Sequence, residues 1–252
     1  MDTLNDECCD STRTDSQRRT VLKSALGLAA VGLMGALPTA WAEQVRLMSL
    51  TKDQRDQLTP DRVVALMKEG NQRFRSGKMQ VHDYLAQKRS SANGQYPAAV
   101  ILGCIDSRAP AEIILDAGIG DTFSARVAGN IANDDLLGSL EFACAVAGAK
   151  VVLVMGHTAC GAIKGAIDGA KLGNLTGLLD KIKPAVEATT YSGERSSKNA
   201  DFVDAVAATN VRRTVDEIRR RSEVLAGLEK DGKIKILGSM YHLVGGKVEF
   251  YD

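Results

Sequence analysis

The hydrophobic residues of this chain follow two alternating patterns. Short apolar runs such as 98–103 and 150–155 are typical of strands buried on both faces of a parallel sheet. Longer segments carry apolar residues at helical spacing, and the first of these begins with Thr59 and Pro60, a common capping pair. The patterns predict strands at 98–103, 122–127, 150–155, 234–243 and 247–251, and helices at 59–76, 136–146, 175–188 and 201–224.

The order of these elements predicts an α/β fold. Strands that alternate with helices form a mainly parallel β-sheet flanked by helices on both sides. The last two strands are joined across Gly245 and Gly246, which predicts closing strands or a hairpin. The polar segment 192–199 is predicted to be a surface loop, and too little chain follows it to form a second domain. We therefore predict a single domain over residues 43–252.

Residues 1–42 have the organisation of an export signal. Arg18 and Arg19 precede an apolar run at 24–37, which is too short for a permanent transmembrane helix, and small residues end at Ala42. The paired arginines and the residues after them resemble the twin-arginine (Tat) signal. We predict that the Tat export machinery recognises the precursor, that the signal is cleaved after Ala42, and that the mature protein is periplasmic with no permanent membrane anchor. The alternative is a leader that stays attached as an anchor.

The composition argues against several classes of protein. The chain has 32 Lys and Arg against 31 Asp and Glu, and its short arginine run at 219–221 is predicted to solvate a helix face. Few aromatic residues are available for base stacking, so we expect no nucleic-acid binding. Loss of the two leader cysteines leaves Cys104, Cys144 and Cys160, an odd number that is unusual where disulfides form. We therefore expect two of these thiols to be engaged by something other than a disulfide.

Two of the predicted strands end in side chains that bind metals. Cys104 follows the first strand, while His157 and Cys160 follow the third. The carboxyl ends of parallel strands meet at one edge of a sheet, so these side chains are expected to lie together. Two thiolates and an imidazole suit Zn²⁺, and three protein ligands leave the open position of a catalytic site. The spacing of His157 and Cys160 predicts that both lie on one turn as a helix begins.

Other interpretations of the same residue types are open at this point. Cys104 and Cys160 could instead form a disulfide or be ordinary buried thiols. Cys144 lies in an apolar helical segment and is predicted to be a core residue. The remaining histidines, His82 and His242, occur in no ligand-like pair and are predicted to be surface or satisfied core residues.

Asp106 and Arg108 follow Cys104 at alternate positions. If the chain stays extended there, both side chains lie on the same face, and the guanidinium can keep the carboxylate ionised and fix its direction. A carboxylate held near zinc can accept the proton of a metal-bound water or bind the metal itself. The alternative is a surface ion pair, which contributes little.

The motif Cys-x-Asp-Ser-Arg at 104–108, followed by His-x-x-Cys-Gly at 157–161, resembles the β-class carbonic anhydrases. The resemblance covers nearly all of the chain after the leader and implies a β-carbonic anhydrase-like fold. It also implies one zinc ion per chain, bound by Cys104, His157 and Cys160, and the reversible hydration of CO₂ to bicarbonate. The similarity extends to the segments 95–97, 111–114, 126–130 and 139–143.

The same resemblance implies roles for further residues. Asp106 and Arg108 correspond to the family's catalytic pair, in which the carboxylate accepts the proton of the hydroxide. Gln95 and Gly161 correspond to substrate-binding positions. Asp106 can also become a fourth metal ligand in a closed, inactive state. The family's assembly implies a homodimer that can pair into a tetramer.

Three functions are compatible with these motifs. The first is a periplasmic carbonic anhydrase. The second is a hydrolase of CS₂ or COS on the same scaffold, because these linear molecules are similar to CO₂. The third is a non-catalytic zinc- or anion-binding protein, which the presence of both Asp106 and Arg108 disfavours.

Overall fold

The computed structural model describes residues 48–251, so the predicted export signal lies outside the described residues. The strands are β1 (Ala99–Gly103), β2 (Thr122–Arg126), β3 (Val151–His157), β4 (Lys235–Tyr241) and β5 (Val248–Phe250). They form one sheet in the order β2-β1-β3-β4-β5, in which β1 to β4 are parallel and β5 is antiparallel to β4. The predicted mainly parallel α/β fold and its closing hairpin are confirmed.

In the described part of the chain, three helices precede β1 and the others fill the connections between the parallel strands. They are α1 (Lys52–Asp56), α2 (Pro60–Ser76), α3 (Tyr84–Ser91), α4 (Ala111–Ile114), α5 (Asp134–Glu141), α6 (Gly161–Ile167), α7 (Gly173–Asp180), α8 (Lys183–Ala188), α9 (Ala200–Arg221) and α10 (Glu223–Lys230). A 3₁₀ turn at Ala128–Asn130 follows β2, and a π-helical turn at Phe142–Val146 continues α5.

Both faces of the sheet are covered by helices. Successive residues of a strand point to opposite faces, so neighbouring residues belong to different buried clusters. On one face, Leu102 of β1 belongs to a buried cluster that includes Phe202 of α9. On the other face, the neighbouring residue Ile101 belongs to a second cluster that includes Val63 of α2. Every residue of β1 and β3 is buried, which explains why these strands are continuous apolar runs.

The predicted start and end of the first long helix are confirmed. The hydroxyl of Thr59 accepts a hydrogen bond from the Arg62 N–H at 3.2 Å, and Pro60 is the first residue of α2. The helix ends at Ser76 because Gly77 adopts a left-handed conformation with φ of 67°.

Two of the predicted helices are each divided. The segment 175–188 contains α7 and α8 rather than one helix, because Pro184 at the start of α8 has no N–H to continue the earlier turn. The segment 201–224 leaves the helical conformation at Ser222, whose Oγ accepts from the Leu225 N–H at 3.1 Å and caps α10. The predicted helix at 136–146 begins slightly earlier, at Asp134.

Polar segments on the surface agree with the sequence pattern. Residues 192–199 form an irregular loop, as predicted. The arginine run at the end of α9 makes ion pairs with acidic residues, including Arg219 with Glu229 at 2.8 Å. Within residues 48–251, no helix combines the length and the hydrophobicity needed to cross a membrane.

Candidate active site

The ligand-bearing segments meet because of the strand register. β1 and β3 are adjacent and parallel, and Gly103 pairs with Met155. Cys104 follows Gly103 directly, while His157 is the last residue of β3. Cys160 comes next as the N-cap residue of α6. The structure therefore brings the three predicted ligands together at the carboxyl edge of the sheet.

Cys104, His157 and Cys160 form a compact buried cluster. Their ligand atoms all lie within 4.8 Å of one another. The Sγ atoms of the two cysteines are 4.0 Å apart, about twice the length of a disulfide bond, so the disulfide alternative is wrong. Within residues 48–251, no second group of three His, Cys, Asp or Glu side chains comes together in this way.

His157 and Cys160 come together through a tight turn rather than a helical one. The prediction that both lie on one helical turn is wrong, because His157 still belongs to β3 and α6 begins only after Cys160. Ala159, between them, has φ of 55°, in the left-handed region that residues with a Cβ seldom adopt. Its N–H donates a hydrogen bond to Asp204 Oδ1 of α9 at 2.8 Å.

The imidazole of His157 is oriented as a metal ligand. Its Nδ1 lies 2.9 Å from the Thr158 carbonyl oxygen, which can only accept, so Nδ1 carries the hydrogen. In the neutral ring, Nε2 is then the unprotonated nitrogen. It is buried and has no hydrogen-bond partner among the described residues. A backbone carbonyl that fixes one ring nitrogen and leaves the other bare is the usual arrangement of a ligating histidine.

The two thiols differ in acidity. A hydrogen bond from Cys160, aided by the Gly129 N–H at 3.3 Å from Cys104 Sγ, lowers the pKa of Cys104 to about 4. The hydrogen bond that Cys160 donates to the Cys104 sulfur, together with burial, raises the pKa of Cys160 well above its usual value, and a second negative charge would lie 4.0 Å from the first. A divalent cation bound by both sulfurs removes this repulsion. The cluster therefore fits a thiophilic metal such as Zn²⁺.

Asp106 and Arg108 form the predicted pair, but not through an extended chain. The backbone turns after Asp106, whose carbonyl accepts from the Ala109 N–H at 3.0 Å. Asp106 Oδ1 accepts from the backbone N–H and the Nε of Arg108, at 2.9 and 3.0 Å, and Oδ2 accepts from Nη2 at 2.8 Å. These hydrogen bonds hold the pKa of Asp106 well below its usual range. Asp106 Oδ2 lies 3.7 Å from His157 Nε2, at the border of the ligand cluster.

Arg126 supports the same loop, although none of the sequence motifs assigns it a role. Its Nε donates to the Cys104 carbonyl at 2.8 Å, and its Nη2 donates to the Asp106 carbonyl at 2.6 Å. The register explains this contact, because Arg126 ends β2 directly beside Gly103 of β1. An arginine at the end of a predicted neighbouring strand is the signal that could have identified it.

The two predicted substrate-binding positions lie in different places. Gly161 is the first residue of α6, next to Cys160, and the space where its side chain would project is open. Gln95 is exposed and precedes β1, so the length of that strand, about 16 Å, separates its segment from Cys104. The structure does not bring Gln95 to the cluster within one chain. Both substrate-binding roles stay predictions.

The other candidate side chains do not belong to the site. Both ring nitrogens of His82 are satisfied, Nε2 by Asp116 at 3.2 Å and Nδ1 by Gln87 at 3.1 Å. His242 is half-buried and lies 3.4 Å from Glu249. Cys144 is buried, and burial raises its pKa to about 12.

The site is therefore the buried cluster of three potential metal ligands at the edge of the parallel sheet. This is the arrangement of a metal-dependent enzyme.

Comparisons with known proteins agree with this class. The carbonic anhydrase family model matches residues 99–248. A carbonic anhydrase of Mycolicibacterium smegmatis is 34% identical over 185 residues, covering 73% of this chain and 89% of the relative. Carbonic anhydrase 2 of Mycobacterium tuberculosis is 35% identical over 192 residues, covering 74% of this chain and 90% of the relative.

Solved structures give the same result. The β-carbonic anhydrase CafA of Aspergillus fumigatus has a TM-score of 0.59 at 29% identity and covers 65% of this chain and 79% of its own. A tetrameric β-carbonic anhydrase of Sordaria macrospora has a TM-score of 0.56 at 25% identity, with coverage of 63% and 82%. The chain belongs to the carbonic anhydrase family and has the fold of its β-class enzymes.

Proposed function

We propose that the protein catalyses the zinc-dependent, reversible hydration of CO₂ to bicarbonate and a proton. The observation that carries the proposal is the buried cluster of Cys104, His157 and Cys160 with the Asp106 carboxylate at its border. Membership of the carbonic anhydrase family supports it. One zinc ion per chain, held by these three side chains, would supply the Lewis acidity that lets a water molecule lose a proton near neutral pH.

The hydrogen bonds of Asp106 indicate which of its oxygens faces the reaction. Oδ1 accepts two hydrogen bonds from Arg108, which fills its lone pairs. Oδ2 accepts one from Arg108 and keeps a lone pair, and this oxygen lies 3.7 Å from His157 Nε2. We assign Oδ2 as the acceptor for the reacting water. That hydrogen bond would turn the free lone pair of the water oxygen towards CO₂.

Arg108 would have two roles, one towards the Asp106 carboxylate and one towards the bicarbonate product. Its bidentate contact keeps Asp106 ionised, and an ionised carboxylate is the stronger hydrogen-bond acceptor. The Arg108 side chain is 55% exposed, against 14% for Asp106. The guanidinium therefore reaches solvent and can attract the bicarbonate anion as it leaves.

Stopped-flow measurement of CO₂ hydration by the zinc-loaded full-length chain tests this proposal. Asp106→Ala and Asp106→Asn should retain zinc but lose about 100-fold or more of the rate, because the ionised carboxylate that accepts the hydrogen bond of the reacting water is gone. Asp216→Asn, a change at a 77% exposed acid, is the matched control and should behave as the native chain. A zinc-loaded native chain that releases sulfide from CS₂ or COS but does not hydrate CO₂ would indicate the hydrolase instead. A chain inactive on all three substrates would indicate a binding protein.

We further propose a homodimer that can pair into a tetramer. The outer edge of β2 has no strand partner within residues 48–251, and Phe142, whose ring lies 6.2 Å from that of Phe123 in β2, is 51% exposed. The related protein of Sordaria macrospora is described as tetrameric. Analytical ultracentrifugation should give a dimer or tetramer, and Phe142→Glu should weaken the association of the subunits. A native monomer at micromolar concentration would contradict the proposal.

We propose that the mature protein is periplasmic after Tat export and cleavage behind Ala42. The support is the organisation of residues 1–42, with Arg18 and Arg19 before an apolar run. Cell fractionation should find the native protein in the periplasm and the paired Arg18→Lys, Arg19→Lys variant in the cytoplasm. A native protein that stays in the cytoplasm would contradict this.

A further inference from the structure

We propose that helix α9 keeps the metal ligands in place through two positioning residues, Asp204 and Asn210. Each one binds a backbone group in a loop that carries or contacts a ligand. The inference rests on the proposed zinc-dependent function. It assigns a role to a helix whose sequence has no motif of the site.

Asp204 holds the turn between His157 and Cys160. Its Oδ1 accepts the Ala159 N–H at 2.8 Å. Ala159 has φ of 55°, a conformation that alanine disfavours and that needs an outside partner to persist. Cys160 is the next residue. A change in the backbone conformation of Ala159 would therefore move Cys160 Sγ relative to Cys104 Sγ.

Asn210 holds the loop that contacts the other sulfur. Its Nδ2 donates to the Gly129 carbonyl at 2.8 Å, and Asn210 is only 3% exposed. The N–H of the same glycine donates to Cys104 Sγ at 3.3 Å. Gly129 has φ of 70°, and a Cβ there would meet Ile182 Cδ1 at 2.5 Å, so this position suits glycine alone. Asn210 therefore fixes the peptide unit that stabilises negative charge on Cys104.

Helix α9 can serve both loops because it lies very close to the sheet. A Cβ at Gly156 of β3 would come within 2.5 Å of Val211 Cγ2, so glycine is needed for this approach. Asp204 and Asn210 are six residues apart, which corresponds to about 9 Å along a helix. One rigid element thus spans the distance between the Cys160 turn and the Gly129 loop.

Zinc affinity of the full-length chain, measured by competition with a chromophoric chelator, tests the proposal. Asp204→Ala and Asn210→Ala should each weaken zinc binding by about 10- to 100-fold, the usual effect of losing a group that orients a ligand. Asp204→Asn keeps an oxygen acceptor for Ala159 and should restore native affinity. Thr209→Ala is the matched control, because Thr209 bonds only to Ala205 of its own helix.

The cobalt-substituted chain provides a readout that a general loss of stability does not move. Asn210→Ala should shift the sulfur-to-cobalt charge-transfer band, because the hydrogen bond from Gly129 to Cys104 is disturbed, while Thr209→Ala leaves the band in place. Folded Asp204→Ala and Asn210→Ala variants with native zinc affinity and a native cobalt spectrum would overturn the inference. A native chain that binds no zinc would overturn the proposed function, and this inference with it.

Amide exchange in the native chain tests the same idea without any substitution. In the zinc-loaded protein, the N–H groups of Ala159 and Gly129 should exchange as slowly as those of β3. Asp204 accepts the Ala159 N–H directly, and Asn210 fixes the Gly129 carbonyl, which keeps the N–H of the same glycine on Cys104 Sγ. Rapid exchange at either amide in a protein that binds zinc would overturn the positioning role and leave the zinc site itself intact.

Discussion

Two buried clusters, each built around a histidine, differ in how complete their hydrogen bonding is. In the first, Asp116 accepts from Arg73, from the Gln80 N–H and from His82, and Gln87 satisfies the other nitrogen of His82. This cluster borders a cavity that is also lined by Ala98 and Thr122, at the amino ends of β1 and β2.

The second cluster, at the carboxyl ends of β1 and β3, is incomplete. His157 Nε2 is buried without a hydrogen-bond partner, and Cys104 and Cys160 place two ionisable sulfurs 4.0 Å apart. Buried polar groups are normally satisfied, so a bare nitrogen that converges with two thiols is the arrangement of a cation-binding site. A buried histidine therefore becomes a functional candidate when its neighbours leave it unsatisfied.

The largest effect is expected when a proposed metal ligand is removed from the incomplete cluster. Cys160→Ser should weaken zinc binding by more than about 100-fold, because changes outside the ligand set alone cost up to that much. CO₂ hydration should fall with the metal content. Zinc analysis and stopped-flow assays of the full-length chain measure both. A Cys160→Ser chain with full zinc and native activity would remove Cys160 from the ligand set.

A substitution in the complete cluster should lower the stability of the protein without changing its zinc content. Asp116→Ala leaves Arg73 and His82 without a buried partner and should lower the free energy of unfolding by about 3–5 kcal/mol. Zinc content per folded molecule should not change. Urea unfolding with Glu69→Ala as the exposed ion-pair control, expected within about 1 kcal/mol, checks the prediction. Loss of zinc from folded Asp116→Ala would mean that the two clusters are coupled.

The smallest effect is expected at Arg126, which borders the incomplete cluster without binding the metal. Arg126→Met removes hydrogen bonds to the Cys104 and Asp106 carbonyls and should lower kcat/KM by about 10-fold, with zinc retained. Arg75→Met is the control, because Arg75 donates to the Gly245 carbonyl in another loop. Equal activity of the two variants would show that Arg126 only stabilises the fold.

The sequence patterns predict the sheet well and the helix ends less well. Buried strands such as β1 and β3 are continuous apolar runs, so their positions follow directly from hydrophobicity. Apolar spacing does not predict the breaks at Pro184 and Ser222, because it continues across both residues. Local capping and the missing N–H of proline decide those boundaries.

The proposed ligand set can be predicted from the sequence, but the residues that support it cannot. Cys104, His157 and Cys160 follow strands whose carboxyl ends must meet, so their convergence follows from topology. The turn at Ala159 differs from the predicted helical turn, because Ala159 has a positive φ and its N–H donates to Asp204, a residue distant in sequence. In the sequence, Asn210 cannot be distinguished from other polar residues of a helix. Its hydrogen bond to the Gly129 carbonyl depends on the tertiary packing of α9.

X-ray absorption at the zinc edge of the purified full-length chain tests the central claim most directly. We predict one zinc ion per chain, with two sulfur donors, one imidazole nitrogen and one oxygen donor. Cys104→Ser should then lose one sulfur from this set. A native protein without zinc, or with zinc bound by other donors, would contradict the proposed site.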